Sequence, residues 1–229
     1  MRIRHLYQPV VNIVTGQIIG YEALLRGAHY EGPGDVLAAA KRQGRLLEVD
    51  ARSFRMAAAG APPGITFVNV LRATLVRMAA DGRSFTKGTG TVRPKDVCIE
   101  VVEVAGLRDM FARFLATIEA VRAAGYLLAV DDISSGNDRL RLVAELAPEF
   151  VKIDRHLVER CHENQNRLHT IHRVLQLAGD LGARVIAEGI ETGDERAALE
   201  HIGVTYGQGF LLGPGGIPGK RLSRGECGG

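Results

Sequence analysis

A chain of 229 residues, 46% hydrophobic and 24% charged, is long enough to bury a substantial core and has ordinary globular composition. Its net charge of +3 is too weak to be the footprint of a surface for DNA or RNA polymers. Three cysteines without motif spacing (Cys98, Cys161, Cys227) exclude a disulfide framework and a zinc site.

The first apolar run is YQPVVNI (7–13) and the second is QIIGYEALL (17–25). Val14-Thr15-Gly16 joins them in a short turn, which predicts an antiparallel hairpin. A helical pattern over 35–59, read as two helices, leads to ITFVNV (65–70). The polar, Gly-rich stretch 81–96 predicts a surface loop before VCIEVVE (97–103). Helical patterns at 109–124, 138–146, 165–181 and 193–202 then alternate with LLAVDDI (127–133), FVKID (150–154), RVIAEGI (184–190) and YGQGFLL (206–212). Residues 213–229 are Gly-rich and read as a partly disordered tail. No run reaches the length of a membrane span, and MRIRHLYQPVV lacks the apolar stretch of a signal peptide. Free thiols in a reducing cytoplasm, away from the membrane, fit this pattern. Strands alternating with helices imply βα units and a mostly parallel sheet. Eight strands at this length fit a (β/α)8 TIM-type barrel, typically about 250 residues, with an open doubly wound sheet as the alternative.

From the second run onward, each strand carries a polar residue near its C-terminal end. In order these are Glu22, Asn69, Glu100, Asp131 with Asp132, Lys152 with Asp154, Glu188 and Gln208. In a barrel those ends converge on one face, where active sites sit. Carboxylates with one carboxamide form an all-oxygen ligand set suited to Mg²⁺ or Mn²⁺ rather than zinc. Each residue alone also has a plain structural role. Glu22 is equally an ion-pair partner for Arg26, Asn69 a turn residue, and Asp131-Asp132 a helix cap. Lys152 and Asp154 share a strand face and suit a structural ion pair, and Glu188 with Glu191 suits a helix dipole. That all these roles coincide at the same end of successive strands favours a metal site.

The run Q-P-V-V followed by Y-E-A-L-L-R resembles the start of the EAL domain family, named for Glu22-Ala23-Leu24. F-V-N-V (67–70), E-V-V-E (100–103), V-D-D (130–132), V-K-I-D (151–154), A-E-G-I-E-T (187–192) and G-Q-G-F (207–210) follow in the family's order. The resemblance covers residues 6 to 214, nearly the whole chain. It implies an EAL barrel domain over 1–214, with 215–229 as the tail, and a (β/α)8 barrel with one antiparallel strand. It also implies a bacterial phosphodiesterase that hydrolyses cyclic di-GMP to linear pGpG with Mg²⁺ or Mn²⁺, commonly as a homodimer. By position, Glu22, Asn69, Glu100 and Asp131 resemble metal ligands, with Asp131 and Asp132 serving a second metal. Glu188 resembles the general base and Lys152 the cation beside the attacking water. Arg26 resembles a phosphate contact, Gln208 a site-ordering group, and Gln8 a further lining residue. Glu103, Asp154 and Glu191 resemble residues that support these from behind. Tyr7, Tyr21, Tyr206 and Phe210 are candidates for guanine contact.

One stretch departs from the family. Where the family reads DDFGTGYSS, residues 131–139 read DDISSGNDR, with Ile133 for Phe, Ser134 for Gly and Asn137 for the aromatic. Ser134 cannot easily reach the backbone conformations open to glycine. The alternative function is therefore a catalytically weak domain acting as a cyclic di-GMP receptor or interaction module, with regulation through a protein partner.

Overall fold

In a computed structural model the described residues are 1–28, 30, 32–80, 92–102, 111–133 and 137–217. Eight strands run β1 (Ile3–Asn12), β2 (Ile18–Gly27), β3 (Ile65–Leu71), β4 (Val97–Val102), β5 (Leu127–Ile133), β6 (Phe150–Ile153), β7 (Arg184–Ala187) and β8 (Tyr206–Gly207). They follow in sequence order round a closed barrel, which decides against the open sheet. The helices are α1 (Pro33–Arg42), α2 (Leu46–Ala59), α3 (Arg72–Ala80), α4 (Phe111–Ala123), α5 (Asn137–Leu146), α6 (Arg155–Val158), α7 (Gln165–Asp180) and α8 (Gly193–His201). Among the described residues no helix is long and apolar enough to cross a membrane.

The chain forms two compact units. The first takes Met1–Tyr7, Tyr21–Leu127 and the chain from Gly215. Here β3 and β4 pair in parallel from Thr66↔Val97 to Leu71↔Val102. β3 is apolar almost throughout, as expected of a parallel strand covered on both faces. Helix α2 buries Val49, Asp50, Ser53, Phe54, Ala57 and Ala58, one face at helical spacing. Polar bonds pin it as well. Tyr7 Oη donates to Ala57 O (2.8 Å), His5 Nε2 meets Ser53 Oγ (2.9 Å), and Leu71 N donates to Asp50 Oδ2 (3.0 Å).

The second unit takes Gln8–Gly20 and Leu128–Pro214. The expected hairpin turn is present: Asn12 N donates to Gln17 O (2.7 Å) and Gly16 N to Asn12 O (2.8 Å). Strands β5 to β8 are parallel, and β8 closes antiparallel on β1 through Val11↔Gly207 and Asn12↔Tyr206.

Some boundaries differ from expectation. β1 starts at Ile3 because His5, a polar residue by type, occupies a buried position bonded to Ser53. β7 and β8 stop at Ala187 and Gly207, well short of 190 and 212. Gly189 (φ 69°) turns the chain out of β7. Gly209 lies so close to the Ile190 backbone that no side chain fits between. Helix α3 and the single-turn α6 have no counterpart among the expected elements; α6 is too short to show a helical period. Of the expected loop 81–96, residues 94–96 form a 3₁₀ turn and 81–91 lie outside the described residues. Of the Gly-rich end, Gly216 pairs with Tyr7, and 218–229 lie outside the described residues.

Candidate active site

In the first unit, Glu22 is buried on β2, and Asn69 Nδ2 donates to its Oε1 at 3.0 Å. Asn69 on β3 stands opposite Glu100 on β4, which is fully buried. Parallel register thus sets the carboxamide beside Glu100, and the hydrogen bond sets it beside Glu22. The Arg26 guanidinium is half-buried and donates to Leu25 O (2.9 Å). Glu103 lies outside the described residues.

In the second unit, the acidic pair ends β5. Successive strand residues point to opposite faces, so adjacent aspartates would normally diverge. Here Val130 pairs with Val151 and Ile133 with Ile153, so three residues of β5 span two of β6. Asp132 takes a left-handed conformation (φ 57°) in this bulge, and its N–H donates to Asp131 Oδ1 (2.8 Å). The extra residue leaves Asp131 and Asp132 with Glu188 in a group whose carboxylate oxygens lie within 4.8 Å of one another.

Lys152, with no exposed side chain, serves this group from β6. Its Nζ lies 2.6 Å from Glu188 Oε1 and 3.7 Å from Asp131 Oδ1. Gln208, just past β8, donates from Nε2 to the same Glu188 Oε1 (3.0 Å). Two donors therefore fix the Glu188 carboxylate from different strands. Three carboxylates stand against one ammonium, an excess of negative charge that oxygen-preferring cations offset well. The donor set fits Mg²⁺ or Mn²⁺ and lacks the nitrogen and sulfur ligands of a structural zinc site.

The remaining candidates have other immediate partners. Asp154 caps α6, accepting from His156 N (2.6 Å). Glu191 pairs with Arg155 at 2.9 Å. Gln8 Nε2 donates to Gly213 O (3.3 Å). Tyr7 is buried with its hydroxyl on α2, so its ring packs the helix and is not open to a base. Phe210 is 61% exposed. Of the altered loop, Ile133 is buried and 134–136 lie outside the described residues. Glu195 joins this neighbourhood without having been singled out in the sequence. Its signal there was T-G-D-E (192–195), the spelling of a helix capping box, which the structure contains.

The sequence profile of the EAL domain family matches residues 2–215. The chain belongs to the EAL domain family. This EAL domain is 27% identical over 220 residues to the bifunctional diguanylate cyclase/cyclic di-GMP phosphodiesterase MucR of Pseudomonas aeruginosa, covering 90% of the chain and 32% of MucR. It spans less than two thirds of the curated relatives it matches. Among solved structures, the manganese/cyclic di-GMP complex of Klebsiella pneumoniae BlrP1 is similar at a TM-score of 0.81 and 28% identity, over 92% of the chain and 55% of BlrP1. The MucR phosphodiesterase in complex with cyclic di-GMP is similar at 0.80 and 26%, over 94% of the chain and 92% of that structure. The EAL domain thus has the closed barrel of these neighbours.

Proposed function

We propose that this EAL domain is a phosphodiesterase that hydrolyses cyclic di-GMP to linear pGpG. The observation that carries this is the grouping of Asp131, Asp132 and Glu188 with buried Lys152 and with Gln208. The cyclic di-GMP held by the solved relatives supports the substrate.

Glu22, Asn69, Glu100, Asp131 and Asp132 would hold two Mg²⁺ or Mn²⁺ ions. Such ions lower the pKa of bound water and offset charge on phosphoryl oxygens. The chain supplies the rest. Glu188 takes the proton of the attacking water, the role of a general base. Lys152 and Gln208 keep its carboxylate aimed and limit its motion. Lys152 and Arg26 offset charge that builds on the phosphate. Water adds to phosphorus, the P–O3′ bond breaks and O3′ leaves as a hydroxyl on taking a proton from solvent, which leaves the phosphate on the 5′ side, as pGpG requires. Gln8 lines the substrate site, and Glu103, Asp154 and Glu191 support the ligands. The domain acts as a homodimer in the cytoplasm, with a regulatory partner setting its output.

The test is turnover of cyclic di-GMP with Mn²⁺, Mg²⁺ or EDTA, with Glu188→Gln alongside. Metal-dependent pGpG that drops by at least about 100-fold in the variant supports the enzyme and its base. Binding of the dinucleotide without product would assign the protein to the receptor class, the outcome that the departure at 133–137 favours.

A further inference from the structure

The loop carrying Glu188 is held from several sides. Glu188 N donates to Ile153 O, and Ile190 N to Gln208 O, both at 3.0 Å. The Arg155 stem packs over Gly189, where a Cβ would meet its Cγ at 2.5 Å. The central fastening is Glu195 on α8, a carboxylate only 3% exposed. Its Oε2 accepts from Glu191 N (2.9 Å) and Thr192 N (3.0 Å). Its Oε1 accepts from Arg160 N (2.8 Å). Burial pushes this carboxyl up, but the three backbone N–H groups outweigh burial and hold it below the usual glutamate range.

A capping box requires less than this. It needs only the Thr192 pair: Glu195 N on Thr192 Oγ1 (3.2 Å) and the return bond to Thr192 N. The bond to Arg160 reaches 35 residues back along the chain. Arg160 closes the turn after α6 in a left-handed conformation (φ 50°), disfavoured for a residue with a Cβ. Only α6 separates that turn from β6, the strand bearing Lys152. One buried carboxylate therefore clips the segment after β6 to the segment after β7; Lys152 lies near the end of β6 and Glu188 just past β7, and their charged groups are 2.6 Å apart.

We propose that Glu195 is a positioning residue for this site: by tying the Arg160 turn to the Glu191–Thr192 turn it sets Glu188 against Lys152. The proposal rests on Glu188 acting as the base. Small displacements of a reacting group are expensive, about 100-fold for 1 Å. Outer residues that orient ligands commonly matter by about 10–100-fold.

The decisive comparison is Glu195→Gln with Thr192→Ala. Glutamine keeps one oxygen for Glu191 N and Thr192 N, but its NH₂ then faces the Arg160 N–H, donor against donor. Alanine at 192 removes the cap hydroxyl and leaves the clip intact. Glu195→Gln should lower kcat about 10–100-fold with KM near wild type, whereas Thr192→Ala, at a similar loss of Tm, should keep kcat. Glu195→Asp, which keeps the charge with a shorter reach, should fall between, and replaces the glutamine variant if that fails to fold. Wild-type kcat in Glu195→Gln, or equal losses in the two variants at equal Tm, would overturn the proposal. If the wild-type protein shows no turnover, the phosphodiesterase reading fails separately. Amide exchange of Glu188 N and Ile190 N then decides: faster exchange in Glu195→Gln than in Thr192→Ala at equal Tm sustains the positioning role, and equal rates overturn it.

Discussion

At Asp132 the backbone and the chemistry make separate demands. Its left-handed conformation costs most residues about 1–2 kcal/mol, and Asn and Asp enter it most readily after glycine. Asp132→Asn should therefore keep the stability of the metal-free protein, while Asp132→Ala should lose about 1 kcal/mol, read by urea unfolding. Both should weaken Mn²⁺ binding, because each removes a charged ligand. Lys152 offers the converse case. Removing one partner of a buried ion pair costs about 3–5 kcal/mol, so Lys152→Met should destabilise the metal-free protein by that order. Saturating Mn²⁺ should return part of the loss, since a ligand of the folded state adds to its stability. The acidic pair was visible in the sequence as ligands or as a cap. Its grouping was not, because strand periodicity sends neighbours to opposite faces and only the bulge reverses that.

The elements that carry the site are short and end abruptly. β7 ends at Ala187 and β8 at Gly207, so Glu188 and Gln208 stand just past strand ends, not within strands. Two glycines test this arrangement. Gly16 has φ 75° with nothing near its missing Cβ, so Gly16→Ala should cost only the conformational penalty, about 1–2 kcal/mol. A Cβ on Gly209 would overlap the Ile190 backbone, which cannot yield as a side chain tip does. Gly209→Ala should cost clearly more than Gly16→Ala in thermal unfolding. It should also lower turnover, since Ile190 N bonds to Gln208 O beside the proposed base. Apolar runs located these strands, but their ends were set by packing between residues about twenty positions apart, which no local pattern carries.

Across the molecule, stability should respond to pH through two buried groups that touch α2. Burial lowers His5 to about 4, so its contribution is present above its ordinary 6.5 and is lost as pH falls through 4. Asp50 behaves in the opposite sense. Burial raises it to about 6, against the bond from Leu71 N, so its contribution is present below its ordinary 3.8 and is lost as pH rises through 6. Each shift corresponds to roughly 3 kcal/mol, and the two oppose each other between about pH 4 and 6. Their sum should be nearly flat there, and single variants should tilt the profile. Relative to wild type, His5→Gln should gain stability as pH falls from 6.5 to 4. Asp50→Asn should gain as pH rises from 4 to 7. Urea midpoints at half-unit steps would show a common slope in wild type and both variants if neither group titrates this way.

By itself the sequence determined the family, the order of the strands and the identity of most polar residues at their ends. These are written in short windows, as apolar period, turn glycines and motif spelling, and so survive without a structure. The tertiary structure decided which of those residues meet. Glu22 with Asn69, Lys152 with Glu188, and Glu188 with Gln208 are pairs from different strands or the segments just past them, joined only once the sheet has formed. It also decided what Glu195 does. A capping box spells out one of the two oxygens of that carboxylate, and the other finds Arg160 only through folding. Local rules act over a few residues, whereas a buried charge is satisfied by whatever the fold brings within 3 Å of it.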